Sequence, residues 1–220
     1  MADHGSSKAL APHHQHQFET VEQQQETSTL GMWAFLVTEV MFFGGLFTAY
    51  TVYRYLYPQA FLEASHHLNY IIGAANTAVL ISSSMTMALA VRGAQLGNRR
   101  VQVVFLAATI LLGSVFLGVK VVEYHEKFVH HLVPGPNFHF EGSHGREAQI
   151  FFSLYFAMTG MHAIHMIIGI GLLSTLLVLA ARGRYTPEYH TPVELAGLYW
   201  HFVDIVWIYL FPLLYLIRGI

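Results

Sequence analysis

The sequence contains no cysteine, and charged residues make up only 11% of its 220 residues. Without cysteine the chain has no disulfide, no zinc–thiolate site, no iron–sulfur ligation and no covalent haem attachment. Soluble domains carry about 25% charged residues, so this chain has too few for a surface that faces water on all sides. The formal net charge of −2 excludes an electrostatic nucleic-acid binder. These deficits favour a membrane protein.

Long apolar segments account for most of the chain, which is 54% hydrophobic. Each exceeds the roughly 20 residues that cross a bilayer core, whereas buried helices of soluble proteins are shorter and have polar faces. The segments run from Leu30 to Leu56, His67 to Val91, Val101 to Phe128, Gln149 to Ala181 and Leu195 to Ile217. The predicted fold is an all-α membrane protein, a bundle of five transmembrane helices that occupies residues 30–220.

Residues 1–29 precede this domain and are polar and rich in His and Gln. Too little apolar surface is present to offset the entropy of ordering, so a flexible tail is predicted. The tail contains His13, His14 and His16. A solvated tail is favoured over a metal site there, because no acidic or Cys partners complete a ligand set.

Basic residues predict the orientation of the chain. They cluster in the second and fourth connectors as Arg92, Arg99, Arg100, Arg182 and Arg184. The positive-inside rule places both connectors in the cytoplasm. With five crossings, the N-terminal tail is then cytoplasmic and the C-terminus lies outside.

Ionisable side chains inside apolar segments are costly, so each calls for a reason. Glu39 lies in the first segment, and His201 and Asp204 are one turn apart in the last. Lys120, Glu123 and Lys127 share one face of the third segment, where the spacing predicts an ion pair between Glu123 and Lys127. The candidate polar or proton-related residues are Glu39, Glu123, His162, His165, His201 and Asp204.

Two kinds of role remain open for these residues. The structural role is a hydrogen-bond network that holds the helices in register, and the residues favour it. The functional roles are a proton relay, a substrate path or a haem site. A bis-His haem would need His165 and His201 at equal depth, but His201 lies nearer the cytoplasmic side, so haem ligation is disfavoured. No catalytic residue and no metal ligand is assigned to the chain.

Five strings, one in each apolar segment, resemble those of one known family in the same order. They are GMWAFLVTEVMFFGGLFTAY at 31–50, Asn76-Thr77 followed by the serines of 82–84, VEYHE at 122–126, GMHAIHMIIG at 160–169 and YWHFVDIVWIYLF at 199–211. Together they resemble subunit III of cytochrome c oxidase, a component of haem–copper oxidases. A single string would be weak, whereas five in sequence are specific.

The resemblance implies a non-redox accessory subunit of a terminal oxidase in the aerobic respiratory chain. Such a subunit flanks catalytic subunit I, binds phospholipid and supports proton uptake and the stability of subunit I. Haem and copper belong to subunits I and II, so no cofactor is expected in this chain. Mitochondrial-type members have seven helices, and five-helix members occur in bacterial oxidases. The resemblance therefore implies a bacterial cytoplasmic membrane. The six polar residues match the family's polar positions, and Glu39 is expected to affect proton-related behaviour most.

Other functions stay open at this point. Two close alternatives are subunit III of a quinol oxidase and the related small subunit of a nitric oxide reductase. The chain alone hardly separates them from the cytochrome c oxidase subunit, because the electron donor binds elsewhere in the complex. A stand-alone proton-coupled transporter would use Glu39 and Asp204, although neither internal repeats nor broken helices are evident. A haem-b membrane cytochrome is a third class.

Overall fold

The computed structural model describes residues 17–18, 20–136, 138–140, 142 and 144–217, and this part of the chain contains α-helices and no β-strand. The helices are α1 (Val21–Leu56), α2 (Pro58–Ser65), α3 (Tyr70–Gln95), α4 (Arg99–Val129), α5 (Gly145–Ala181) and α6 (Thr191–Tyr215). All except the short α2 are long and apolar enough to cross a membrane, which gives five candidate spans. Each span overlaps one of the five apolar segments that the sequence predicts.

The first helix begins well before its apolar part. The hydroxyl of Thr20 accepts a hydrogen bond from the backbone N–H of Gln23 at 3.1 Å and caps the helix. Residues 21–29 are therefore helical, which corrects the prediction of a flexible tail that extends to residue 29. Gln and Glu are good helix formers, and they extend a helix that the apolar segment has already nucleated. His13, His14 and His16 lie outside the described residues.

The short helix α2 is a feature that the sequence did not predict. Pro58 ends α1 and at the same time occupies the first turn of α2, where its missing N–H costs nothing. The buried Phe61 ring packs against Tyr50 of α1 and Phe151 of α5, with both ring centroids 5.3 Å away. The helix thus covers the α1–α5 contact at one end of the bundle.

A tight turn joins α3 and α4 into an antiparallel hairpin. Gly97 has φ +66°, a left-handed conformation that glycine adopts without a steric penalty. The next residue, Asn98, caps α4 by accepting a hydrogen bond from the N–H of Val101 at 3.2 Å. A Cβ on Gly93 would lie only 2.9 Å from the backbone nitrogen of Gln102, so this glycine allows the two helices to approach closely.

The last helix lies at the centre of the bundle. Half of the most apolar stretch of α6 is buried inside the chain (50%), compared with 11% for α1. Trp200 and Trp207 of α6 are fully buried, and their indole N–H groups donate to Ser83 at 3.1 Å and to Thr77 at 3.0 Å. Two hydrogen-bonded indoles therefore fix α6 against α3, while α1 remains largely uncovered.

The two arginine-containing connectors lie at the same end of the bundle, here called the arginine end. The guanidinium of Arg99 donates a hydrogen bond to the carbonyl of Ala181 at the end of α5. Nearby, the amide of Gln95 donates to the carboxylate of Glu194 at 2.7 Å. The opposite end contains α2 and the connector between α4 and α5.

Candidate site of buried polar side chains

The six candidate residues do not form a single site. The structure brings Glu39 and His165 together between α1 and α5, and it places Glu123 in a separate cluster between α4, α5 and α6. His201 and Asp204 lie on α6 beside α3, and His162 packs alone among aromatic rings. The candidates are therefore distributed over several helix interfaces, each with its own surroundings.

Glu39 and His165 form a contact across the α1–α5 interface. The Nε2 atom of His165 lies 3.1 Å from a carboxylate oxygen of Glu39, and the side chains are 11% and 18% exposed. The other ring nitrogen, Nδ1, is 2.8 Å from the carbonyl of Met161. A carbonyl only accepts, so Nδ1 carries a hydrogen. Nε2 is therefore the ring nitrogen that faces the Glu39 carboxyl group across the interface.

Aromatic side chains hold this pair in place. The ring of Phe43 meets the His165 ring edge-on with centroids 5.5 Å apart. The Tyr199 ring stacks on the His165 ring with centroids 6.5 Å apart, and its hydroxyl donates to the backbone carbonyl of His165 at 2.9 Å. The pair thus lies in an apolar surrounding that is partly open to the exterior of the isolated chain, an arrangement suited to holding or passing a proton.

We predict different effects for two substitutions of Glu39. Glu39→Gln should assemble normally, because the amide keeps the size and can donate a hydrogen bond to Nε2. Glu39→Ala should lower the stability of the chain by about 1 to 3 kcal/mol, because the buried Nε2 loses its partner. The measurement is the thermal stability of the complex that contains each variant. Glu26→Ala, at an exposed position of the same helix, is the matched control.

The activity of Glu39→Gln distinguishes a structural role of Glu39 from a catalytic one. The resemblance implies an accessory subunit of an oxidase, so oxygen reduction should persist in Glu39→Gln. Complete loss of oxygen reduction in this variant, with normal assembly, would contradict an accessory role for the chain.

Glu123 belongs to a buried cluster with Lys120 and two tyrosines. The Lys120 ammonium donates to one carboxylate oxygen of Glu123 at 2.9 Å, to the Tyr215 hydroxyl at 2.9 Å and to the Tyr155 hydroxyl at 3.4 Å. The other carboxylate oxygen accepts from Tyr155 at 2.8 Å and from Tyr215. All three N–H donors of the lysine are used, so the network is complete. It joins α4, α5 and α6.

The predicted ion pair between Glu123 and Lys127 is wrong. Glu123 pairs with Lys120 instead, three residues earlier on α4. The two tyrosine hydroxyls reach Glu123 from α5 and α6 and complete its hydrogen bonds. Lys127 lies one turn further along and donates to the backbone carbonyl of His67 at 2.6 Å. Tertiary contacts therefore decide which of two similarly spaced lysines the carboxylate binds.

His201 and Asp204 share a face of α6, as their spacing predicts, but do not bond to each other. The Nδ1 atom of His201 is 2.7 Å from the hydroxyl of Ser84 on α3. Asp204 is only 2% exposed, and neither of its carboxylate oxygens has a hydrogen-bond partner in the described part of the chain. Ser84 lies close enough to influence this carboxylate, although its short hydrogen bond is with His201.

His162 is buried and packs against two aromatic rings. Its ring centroid is 5.5 Å from that of Phe116 and 5.2 Å from that of Trp207, and neither ring nitrogen is hydrogen-bonded to a described residue. The one-turn spacing to His165 therefore does not bring the two imidazoles into one site. Among the described residues, no three His, Asp or Glu side chains lie close enough together to hold a metal ion.

The sequence indicates the candidate residues but not their partners. Neither Tyr155 nor Tyr215 is among the candidates, whereas both donate hydrogen bonds to Glu123. Ser84 is unremarkable in a serine-rich run, yet it contacts His201. The available signal was a lysine three residues before a glutamate in an apolar segment, which is the spacing of the observed ion pair.

These features define a class: a multi-pass, all-helical membrane protein whose buried polar groups pair mainly between helices. The particular family follows from comparison with known proteins. The chain belongs to the cytochrome c oxidase subunit III family, whose model matches residues 11–218.

Similar proteins cover most of the chain. Cytochrome c oxidase subunit 3 of Thermostichus vulcanus is 33% identical over 210 residues, which is 95% of this chain and 94% of the relative. The subunit of the same name from Corynebacterium diphtheriae is 35% identical over 198 residues, 86% of this chain and 88% of the relative. Quinol oxidase subunit 3 of Bacillus subtilis is 30% identical over 219 residues, 98% of this chain and 96% of the relative.

Proposed function

We propose that the chain, as an accessory subunit III of a haem–copper oxidase, supports proton uptake and the stability of the catalytic subunit I. The observation that carries the proposal is the family match, which extends over all five candidate spans. Partners in this proposal are subunit I, subunit II and other subunits of the respiratory complex. The chain contributes no catalytic residue, and its role is to cover and stabilise its neighbour.

The structure supports a covering role through the exposure of α1. Large apolar side chains point away from the rest of the chain along this helix, among them Trp33 at 55% and Met41 at 73% exposure. Such a surface needs lipid or another transmembrane helix against it, because membrane helices associate by close packing. Bound phospholipid is part of the same proposal. All five long helices cross the bilayer in this arrangement.

Deletion of the chain tests the proposal. The haem spectrum of the remaining complex should be nearly unchanged, and initial oxygen consumption should persist. Proton uptake should be slower, and the enzyme should inactivate progressively during turnover, because packing beside subunit I relaxes. The measurement is oxygen consumption against time with and without the chain, together with the optical spectrum.

The control for this deletion is restoration of the time course when the chain is supplied again. Immediate loss of all activity with loss of a haem band would contradict the accessory role. An unchanged time course would contradict support of subunit I during turnover.

We further propose that the chain holds no haem or copper, which belong to its partner subunits. The donor chemistry supports this, because cysteine is absent and the two histidines considered for haem contact Glu39 and Ser84 separately. Metal analysis and an absorption spectrum of the isolated chain test it. A Soret band or stoichiometric metal would contradict it.

The proposed location is the bacterial cytoplasmic membrane, with the N-terminus inside and the C-terminus outside. The contact between Arg99 and Ala181 supports it, since both basic connectors lie at one end of the bundle. We predict that reporter fusions to the C-terminus give an extracytoplasmic signal. A cytoplasmic signal would reverse the orientation.

Quinol is the second candidate electron donor for the complex. Two relatives named quinol oxidase subunit 3, from Bacillus subtilis and Bacillus spizizenii, each match 98% of this chain. Oxygen consumption by the purified complex with reduced cytochrome c and with a quinol distinguishes the donors. The family assignment is the same in either case.

A further inference from the structure

A cavity of about 200 Å³ lies at the end of the bundle opposite the arginine end. It is open to the surroundings and is separate from the six candidate polar residues. Three segments form it: the connection between α2 and α3, the last turn of α4, and the loop that follows. This histidine pocket is lined by His67, Glu126, Lys127, His130, Leu132 and His139.

The backbone at the end of α4 shapes the histidine pocket. His131 adopts φ 53°, the left-handed conformation that usually belongs to glycine after a helix. The N–H of Leu132 then returns to the carbonyl of Lys127 at 3.0 Å, and the Leu132 side chain is buried. The N–H of His139 donates to the carbonyl of His131 at 3.0 Å. These bonds fold the loop back over the helix end and place His139 beside the pocket.

Lys127 supplies a buried positive charge to the histidine pocket. It is only 3% exposed, and among the described residues its ammonium makes one hydrogen bond, to the carbonyl of His67. An ammonium has three N–H donors, so two remain. Lys127 forms no ion pair within the described part of the chain, because Glu123 is bound by Lys120 and the tyrosines. A buried cation with unused donors is costly unless an anion accompanies it.

The lining favours an anion over a metal cation. The described His, Asp and Glu side chains include no group of three that could hold a metal ion, and the lysine ammonium would repel one. Ammonium and imidazole N–H groups donate hydrogen bonds to oxyanions. Such charge-assisted hydrogen bonds are stronger than those between neutral groups. Glu126 is the one acidic group in the lining and opposes an anion.

The surface beside the histidine pocket offers access from the membrane as well as from water. Phe128 and Val129, at the end of the same helix, are 69% and 57% exposed. At the membrane interface, a cationic pocket at a helix end can bind the phosphate of a phospholipid headgroup, and an apolar surface beside it can contact the acyl chains. We propose that the histidine pocket binds a phosphate-type oxyanion through Lys127 and the imidazoles of His67, His130 and His139. If the oxyanion is a headgroup, this site specifies where the phospholipid of the proposed function binds; if it is free phosphate, the site is independent of that function.

The first experiment measures inorganic phosphate binding by calorimetry to the purified complex that contains the full chain. Lys127→Gln should weaken binding by about tenfold or more, because a charge-assisted bond is lost. Glu126→Gln should strengthen binding by a few-fold, because the opposing charge at the pocket is removed. Glu188→Gln, at an exposed position of the arginine end, is the matched control and should leave binding unchanged.

The second experiment identifies the source of the oxyanion. Native mass spectrometry of the complex in phosphatidylglycerol-containing detergent should show one phospholipid fewer in Lys127→Gln if the headgroup is the ligand. Phosphate binding in the calorimeter without a change in retained lipid would assign the site to the free anion. Glu126 is exposed, so Glu126→Gln should fold even if Lys127→Gln does not, and it then tests the site by itself. Unchanged phosphate affinity and unchanged lipid retention in Glu126→Gln would overturn the proposal.

Discussion

Lys120→Met is expected to destabilise the chain by about 3 to 5 kcal/mol, since it leaves the buried carboxylate of Glu123 without a counter-charge. Whole domains are stable by only about 5 to 15 kcal/mol, so this loss is large. The hydroxyls of Tyr155 and Tyr215 that donate to Glu123 cannot replace the ammonium, because they supply no charge. The measurement is the thermal unfolding of the complex, followed by the loss of helical structure and by the fraction of the chain that stays bound.

A double variant provides the control for Lys120. Combining Lys120→Met with Glu123→Gln removes both charges, and should recover much of the lost stability, because replacing a whole buried ion pair is often nearly neutral. If the single and double variants were equally unstable, loss of the ammonium's contact with the Trp207 ring would explain the effect instead. The ammonium lies 4.8 Å from the centre of that ring.

Gly113→Ala should destabilise the bundle by about 1 to 3 kcal/mol, the usual cost of overpacking. A Cβ there would lie 2.8 Å from the Trp200 ring, and a Cβ on Gly169 would lie 2.9 Å from the same ring. The indole is thus held between glycines of α4 and α5, and its N–H is bonded to Ser83. Gly169→Ala should act in the same direction.

Each of these helices also contains its own control. At Gly118 on α4 and at Gly171 on α5, a Cβ would meet nothing within 4 Å. Alanine at either position should be neutral or stabilising by about 0.5 to 1 kcal/mol, because glycine is the poorer helix former. Thermal unfolding of the four variants is the measurement. Equal effects at Gly113 and Gly118 would contradict the close contact with Trp200.

The buried polar residues divide into a closed cluster and a partly open pair. The cluster around Glu123 is closed, since each donor of Lys120 has an acceptor. The contact between Glu39 and His165 is partly exposed. We therefore assign a structural role to the former and keep the latter as the proton-related candidate of the proposed function.

The sequence alone determined the five long helices and the family. The length and apolarity of five segments predict five long helices, because a bilayer admits few other structures. The order of five strings predicts the family, which the comparison confirms. These properties depend on local composition and spacing, which the sequence states directly.

Only the tertiary structure decided which side chains meet. Glu123 has a lysine on either side at helical spacing, and the position of Tyr155 and Tyr215 determines that it binds Lys120. The partner of Glu39 lies on α5, more than a hundred residues away in sequence, and His162 faces a different surface from His165. Periodicity places a residue on a face of its own helix, whereas the rotation and packing of the neighbouring helices determine what that face contacts.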